Sequence, residues 1–168
     1  MARPRSVPDE VVFQAVHALV RAGGAKAVTF GAVAERAGLA ASSLAQRHGS
    51  VAGLVRDAQV AAWTALEAAT RTALTGAPMT AKGAAGVLKA LSAVPMPAIP
   101  DAHDEVLTAR ALGWRDQVQS ALCVRLGGGA AGREAAAILF AAWQGQMLWQ
   151  GRGDKGFRLR DAAKRLSG

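Results

Sequence analysis

Residues 29–56 read TFGAVAERAGLAASSLAQRHGSVAGLVR. Thr29 is a helix-capping residue, and Val33, Ala34 and Ala37 then fall on one face of a short helix. Gly38 follows directly and accepts the positive φ that reverses a chain sharply. Leu39 and Leu44 plug the angle between this helix and the next, which is expected over about Ala41 to Arg47. Gly49 and Ser50 break that helix, and Ser50 caps another. Helix, tight glycine turn and second helix together make a helix-turn-helix, which sets a short helix into the major groove of DNA.

Working toward the N-terminus, Ser6-Val7-Pro8-Asp9 predicts a capped helix start. Val12, Ala15, Val16 and Leu19 continue it as an apolar stripe that Gly23-Gly24 ends. Toward the C-terminus, Val51, Leu54, Val55, Ala58, Ala62, Leu66 and Ala69 share one face of a long helix, about Val51 to Leu74. Such a helix spans roughly 35 Å and serves as a lever between a head and a body. Further helices are expected near Ala81–Ala93, Ala102–Leu126, Arg133–Gln150 and Phe157–Leu166. The prolines at 95, 97 and 100 and the glycines at 127–129 and 151–153 separate them. With no alternating strand pattern and a composition rich in alanine, the fold class is all-α. Residues 1–50 are expected to form a helix-turn-helix domain and residues 51–168 a helical bundle.

The chain has 168 residues, 51% of them hydrophobic, and a net charge of +8. A disordered protein is excluded by that composition. Residues 1–56 carry half of the excess charge, as expected of a nucleic-acid face, although basic proteins are common. Cys123 is a lone thiol, which fits a reducing cytoplasm. The longest uncharged run, Ala135 to Gly151, holds three glutamines and falls short of a membrane span.

Catalytic and metal chemistry find no support. His17, His48 and His103 are far apart, and no Cys/His cluster has ligand spacing. The acidic group at 101, 104 and 105 suits a helix start. Residues 127–132, GGGAAG, fit a dinucleotide fingerprint formally but lack the preceding strand. No enzyme activity and no cofactor are expected.

For DNA contact, Ser42, Ser43, Gln46 and Arg47 are the polar side chains of the second helix of the motif. Glutamine pairs with adenine and arginine with guanine, whereas serine is less selective. Each is also an ordinary surface residue. Arg3 and Arg5 form a basic arm that either enters a minor groove or only aids solubility.

The order of helices around TFGAVAERAGLAASSLAQRHGS, followed by a long helix, resembles the tetracycline-repressor (TetR) family of bacterial transcription regulators. The resemblance covers about residues 7–58. ILFAAWQGQMLWQGRGDKGFRLRDAAKRL also looks like the last two helices of that family, its dimer interface. The resemblance implies a homodimeric, ligand-responsive repressor on a palindromic double-stranded operator, with Thr29, His48 and Ser50 joining the DNA-contacting set. It also implies an apolar ligand cavity in the body. Candidate lining residues are Trp63, Leu91, Leu107, Trp114, Val118, Trp143, Gln144 and Met147, with ordinary core packing as the alternative for each. Gln144 and Gln146 on an apolar helix need hydrogen-bond partners if buried. Ile138, Trp149, Leu159 and Ala162 are the expected dimer residues. The sequence departs from the family where Tyr and Lys usually contact phosphate, since Ala45 and Val51 stand there. His48 stands where a Phe is usual. The competing expectation is a helical small-molecule-binding protein with a degenerate DNA-binding head.

Overall fold

The computed structural model describes residues 7–98, 100, 104–149 and 158–167. Every regular element among them is helical: α1 Asp9–Gly23, a short 3₁₀ turn Ala25–Ala27, α2 Phe30–Ala37, α3 Ala41–His48 and α4 Val51–Gly76. They continue with α5 Ala81–Leu91, α6 Glu105–Arg125, α7 Gly129–Trp149 and α8 Leu159–Leu166. The all-α class expected from the sequence is therefore what the structure shows. No helix among the described residues is long and apolar enough to cross a membrane. The chain divides into two compact units, Met1–Ala62 and Trp63–Gly168.

Several boundaries differ from those read in the sequence. Ser6 lies outside the described residues, and α1 opens at Asp9 behind Pro8, which supplies no side-chain cap. Pro8 fits because its missing N–H has no partner in a first turn, and Asp9 and Glu10 face the positive end of the helix dipole. Helix α5 stops at Leu91, before Pro95, and α6 starts at Glu105 with the Asp104 carboxylate accepting the Leu107 N–H at 3.0 Å. Helix α7 opens at Gly129 rather than Arg133. Gly127, Gly128 and Gly129 have φ of 102°, 71° and 64°, so the reversal is complete before Ala130 and Ala131, two strong helix formers, begin the helix.

The first unit is held by one apolar cluster. Val12, Val16, Val33, Leu44 and Leu54 are at or near zero exposure within it, and one or more of α1 to α4 supplies each. The stripes expected on α1 and α2 are buried, including Leu19 and Ala37.

The second unit has an aromatic centre. Trp114 contacts Trp63, Phe140 and Trp143 with ring centroids 5.9, 5.9 and 6.4 Å apart, and Phe140 meets Trp143 at 5.5 Å. Leu66, Leu88, Leu91, Leu107, Val118, Leu122 and Leu139 enclose them. Trp114 Nε1 donates to Thr70 Oγ1 and Trp143 Nε1 to Ser92 Oγ, each at 2.9 Å, so two of the indoles satisfy their N–H inside the core. Helix α5 approaches its own preceding loop closely: a Cβ at Gly83 would overlap the Pro78 carbonyl. Arg125 is 6% exposed and donates to the carbonyls of Ala121, Leu74 and Ala77 at 3.0, 3.0 and 3.2 Å.

Candidate nucleic-acid interface

The local geometry of residues 29–50 follows from three short-range devices. Thr29 Oγ1 accepts the Ala32 N–H at 3.1 Å and caps α2. Gly38 ends α2 in the left-handed region at φ 68° and ψ 38°, and its N–H returns to Ala34 O. Ser50 Oγ accepts the Gly53 N–H at 3.0 Å and opens α4. The result is an eight-residue helix, α3, fixed to the head by one fully buried side chain, Leu44.

With Leu44 inward, helical periodicity turns Ser42 and Gln46 outward, and both are exposed, as is Thr29. Ser43 is half-buried. Those polar side chains form the free edge of α3.

Arg47 and His48 differ from expectation. Arg47 Nη1 donates to the Val7 carbonyl at 3.1 Å and to Asp9 Oδ1 at 3.4 Å, which ties the end of α3 to the start of α1. Its side chain keeps 33% exposure. The His48 side chain is only 6% exposed, with Nδ1 2.7 Å from Asp57 Oδ2 and its ring 6.0 Å from Phe13. His48 is thus a clamp between α3 and α4 and not a surface phosphate contact. The other ring nitrogen, Nε2, is buried and has no hydrogen-bond partner among the described residues. Ala45 and Val51 are half-buried.

The sequence reading passed over two cations. Lys26, in the turn between α1 and α2, and Arg36, on α2, are exposed and form no ion pair among the described residues. Lys26 stands in a run of small residues that carries no motif, and Arg36 lies in the helix-turn-helix stretch but outside its second helix. Arg3 and Arg5 lie outside the described residues.

In the second unit Trp63, Leu91, Leu107, Trp114, Val118 and Trp143 are buried in one cluster, with Trp114 against Trp63 and Trp143. Met147 is half-buried against the same cluster. Gln144 is exposed, because position 144 faces away from the buried row Ala136, Leu139, Phe140 and Trp143. Gln146 is half-buried and has interacting partners.

Large apolar side chains stand on the outward side of α7, beside the exposed Arg133, Glu134 and Gln144. Ile138 is 48% exposed, Trp149 59% and Leu148, which the sequence reading did not single out, 74%. Leu159 and Ala162 are half-buried against the core of the unit. Ile138, Ala162 and Leu166 line a shallow groove with Arg158, Asp161 and Arg165.

Two ionic features complete the chemistry. Arg110 grips both carboxylate oxygens of Glu67, at 2.6 and 2.8 Å, and holds that carboxyl below its ordinary range. Burial pushes His17 below its ordinary value, against a hydrogen bond with the Ala58 backbone that raises it. No group of three or more potential metal ligands gathers among the described residues.

No family model and no curated protein sequence matches the chain. Among solved structures, it is similar to the crystal structure of a TetR family transcriptional regulator, PfmR, from Thermus thermophilus. The TM-score is 0.64 at 15% identity, over 93% of this chain and 94% of that one. The fold is therefore TetR-like along nearly its whole length, and that likeness includes the bundle as well as the helix-turn-helix.

Proposed function

We propose that the protein is a DNA-binding transcription regulator, a cytoplasmic repressor that binds a palindromic operator as a homodimer and releases it in response to a small molecule. The observation that carries the reading is α3: a short helix fixed by Leu44, set between the Gly38 turn and Gly49, with Ser42 and Gln46 turned outward. A helix of this kind after a glycine turn enters a major groove and offers its polar edge to the bases. Gln46 reads an adenine through its amide, and Ser42 assists.

Phosphate contacts fix register and supply most of the affinity. With Ala45 and Val51 unable to serve, the exposed cations Lys26 and Arg36, the Thr29 hydroxyl and the Arg3–Arg5 arm take that role. Arg47 contributes only as far as its bond to Asp9 allows. The homodimer uses the outward side of α7, where Ile138, Leu148 and Trp149 would otherwise stand in water.

A second reading has its own support. His48 is buried and Arg47 is tied to Asp9, so α3 presents little free charge. That favours a bundle whose head no longer binds DNA. Fluorescence anisotropy with duplexes from the region beside the protein's own gene, at several salt concentrations, separates the two. Saturable binding that weakens steeply with salt supports the regulator. The absence of salt-sensitive binding to any duplex leaves the degenerate head.

A further inference from the structure

Helix α5 carries Lys82 and Lys89 seven residues apart, so they share one face about 10.5 Å apart along the axis. Between them the face is nearly bare. Ala85 is buried, and a Cβ at Gly86 would meet nothing within 4 Å. Arg158, Leu159 and Arg160, at the start of α8, stand across from this notch, with Gln146 of α7 beside them. Together these residues line a groove of about 520 Å³, within the roughly 300–1,000 Å³ usual for ligand sites.

The lining has an unusual division of character. Its floor is aliphatic, from Ala85, Gly86, Leu159 and the stems of the long side chains. Its rim holds Lys82, Lys89, Arg158 and Arg160, and among the described residues no carboxylate lines it. None of the four cations forms an ion pair among the described residues. Elsewhere in this unit Arg110 pairs with Glu67, Arg115 with Asp116 and Arg125 with three carbonyls, while Arg71, Arg133 and Arg165 form no ion pair among the described residues and lie outside this groove. Like charges gathered without counter-charges repel one another, and an anion in their midst relieves that repulsion. Arginine forks suit phosphate oxygens in particular, while lysine ammoniums add point charge.

We propose that the groove between α5, α7 and α8 binds an amphipathic organic phosphate, its apolar body along Gly86 and Leu159 and its phosphate among the four cations. The site is separate from the buried aromatic centre, and it does not depend on whether the head binds DNA.

Calorimetry on the full chain tests this with octyl phosphate, inorganic phosphate and 1-octanol as probes. Octyl phosphate is expected to bind saturably and at least about tenfold more tightly than either of the others. The Lys82→Ala, Lys89→Ala double variant is expected to weaken it by about tenfold or more, from the lost charge. Gly86→Leu is expected to weaken it by filling the notch. Position 86 is exposed and unobstructed within α5, so the thermal melt of that variant does not fall and rises slightly as a better helix former replaces glycine, and Gly86→Ala provides a milder check. Equal affinity for inorganic phosphate would reduce the groove to a cluster of surface charge and overturn the proposal. So would equal affinity for octanol, or no binding of octyl phosphate at all. A double lysine variant that loses affinity for random duplex DNA but keeps octyl phosphate would assign these cations to nucleic acid instead.

Discussion

Leu44→Ala tests the architecture of the head and its independence at once. Leu44 has zero exposure and is the only buried residue of α3, so that helix has one apolar anchor. Truncating a fully buried leucine costs about 2–5 kcal/mol, from lost transfer energy and the cavity left behind. A unit the size of Met1–Ala62 is stabilised by roughly 3–9 kcal/mol if it follows the usual per-residue range. The substitution therefore removes between about a fifth of that stability and all of it. At roughly 4–8 °C per kcal/mol for so small a unit, a loss of about 3 kcal/mol lowers its midpoint by about 12–24 °C. The protein supplies its own reporters, because Trp63, Trp114, Trp143 and Trp149 all lie in Trp63–Gly168. Far-ultraviolet circular dichroism sees both units, and tryptophan fluorescence sees the second. The expected result is an early loss of helix by dichroism, with the fluorescence midpoint where it is in the parent, and no DNA binding above the early transition. If the two midpoints fall together, the units melt as one and the reasoning fails. If Leu44→Ala leaves both unchanged, α3 is not held by this anchor.

Gln46→Ala is expected to cost about 1–3 kcal/mol on the preferred operator and much less on random DNA, because the amide reads a base. Equal losses on the two duplexes would place Gln46 outside direct readout. Leu148→Glu, at a position 74% exposed, is expected to give monomer by light scattering, with a melt lowered only by the lost dimerisation and no longer dependent on protein concentration, whereas Met147→Glu would also disturb the core it touches. A Leu148→Glu protein that remains dimeric would move the interface off α7. His17 is held neutral by burial, so below its ordinary value of 6.5 the unfolded chain takes up a proton that the folded chain resists. Stability should fall as pH drops through that value and below it, while His17→Gln is spared, so the gap between the two proteins changes in favour of the variant. A constant gap between about pH 7.5 and 5 would show that His17 titrates alike in both states.

The fold was legible where short-range chemistry decides it. Thr29, Gly38 and Ser50 cap or reverse the chain through bonds within four residues, and their spacing alone locates α2 and α3. The start of α7 was less legible, because the three glycines before it signal a loop without saying where the loop ends. At the candidate interface, exposure of Ser42 and Gln46 follows from helical periodicity once Leu44 is taken as the inward residue. The engagement of Arg47 with Asp9 and of His48 with Asp57 does not, since those partners lie 38 and nine positions away. Composition could say that the body holds aromatic side chains. It could not say that four rings would close on one another, because that depends on how α4, α6 and α7 meet.

Arg125 bears on where this chain could accept change over evolutionary time. Its guanidinium takes carbonyls from Leu74, near the end of α4, and from Ala77, just beyond it, as well as from its own helix. No carboxylate among the described residues pairs with it. The acceptors are backbone atoms, so no side-chain substitution at 74 or 77 can remove them, and what matters is the length of the connection. One residue added between them would shift an acceptor and leave a buried charge short of partners. Lineages should therefore hold the length of 74–77 fixed, while Leu74 and Ala77, which pack on the core, vary only among apolar side chains. Lysine should be absent at 125, since a single ammonium cannot span the same three carbonyls. Relatives that lengthen this connection should have lost the arginine in the same step.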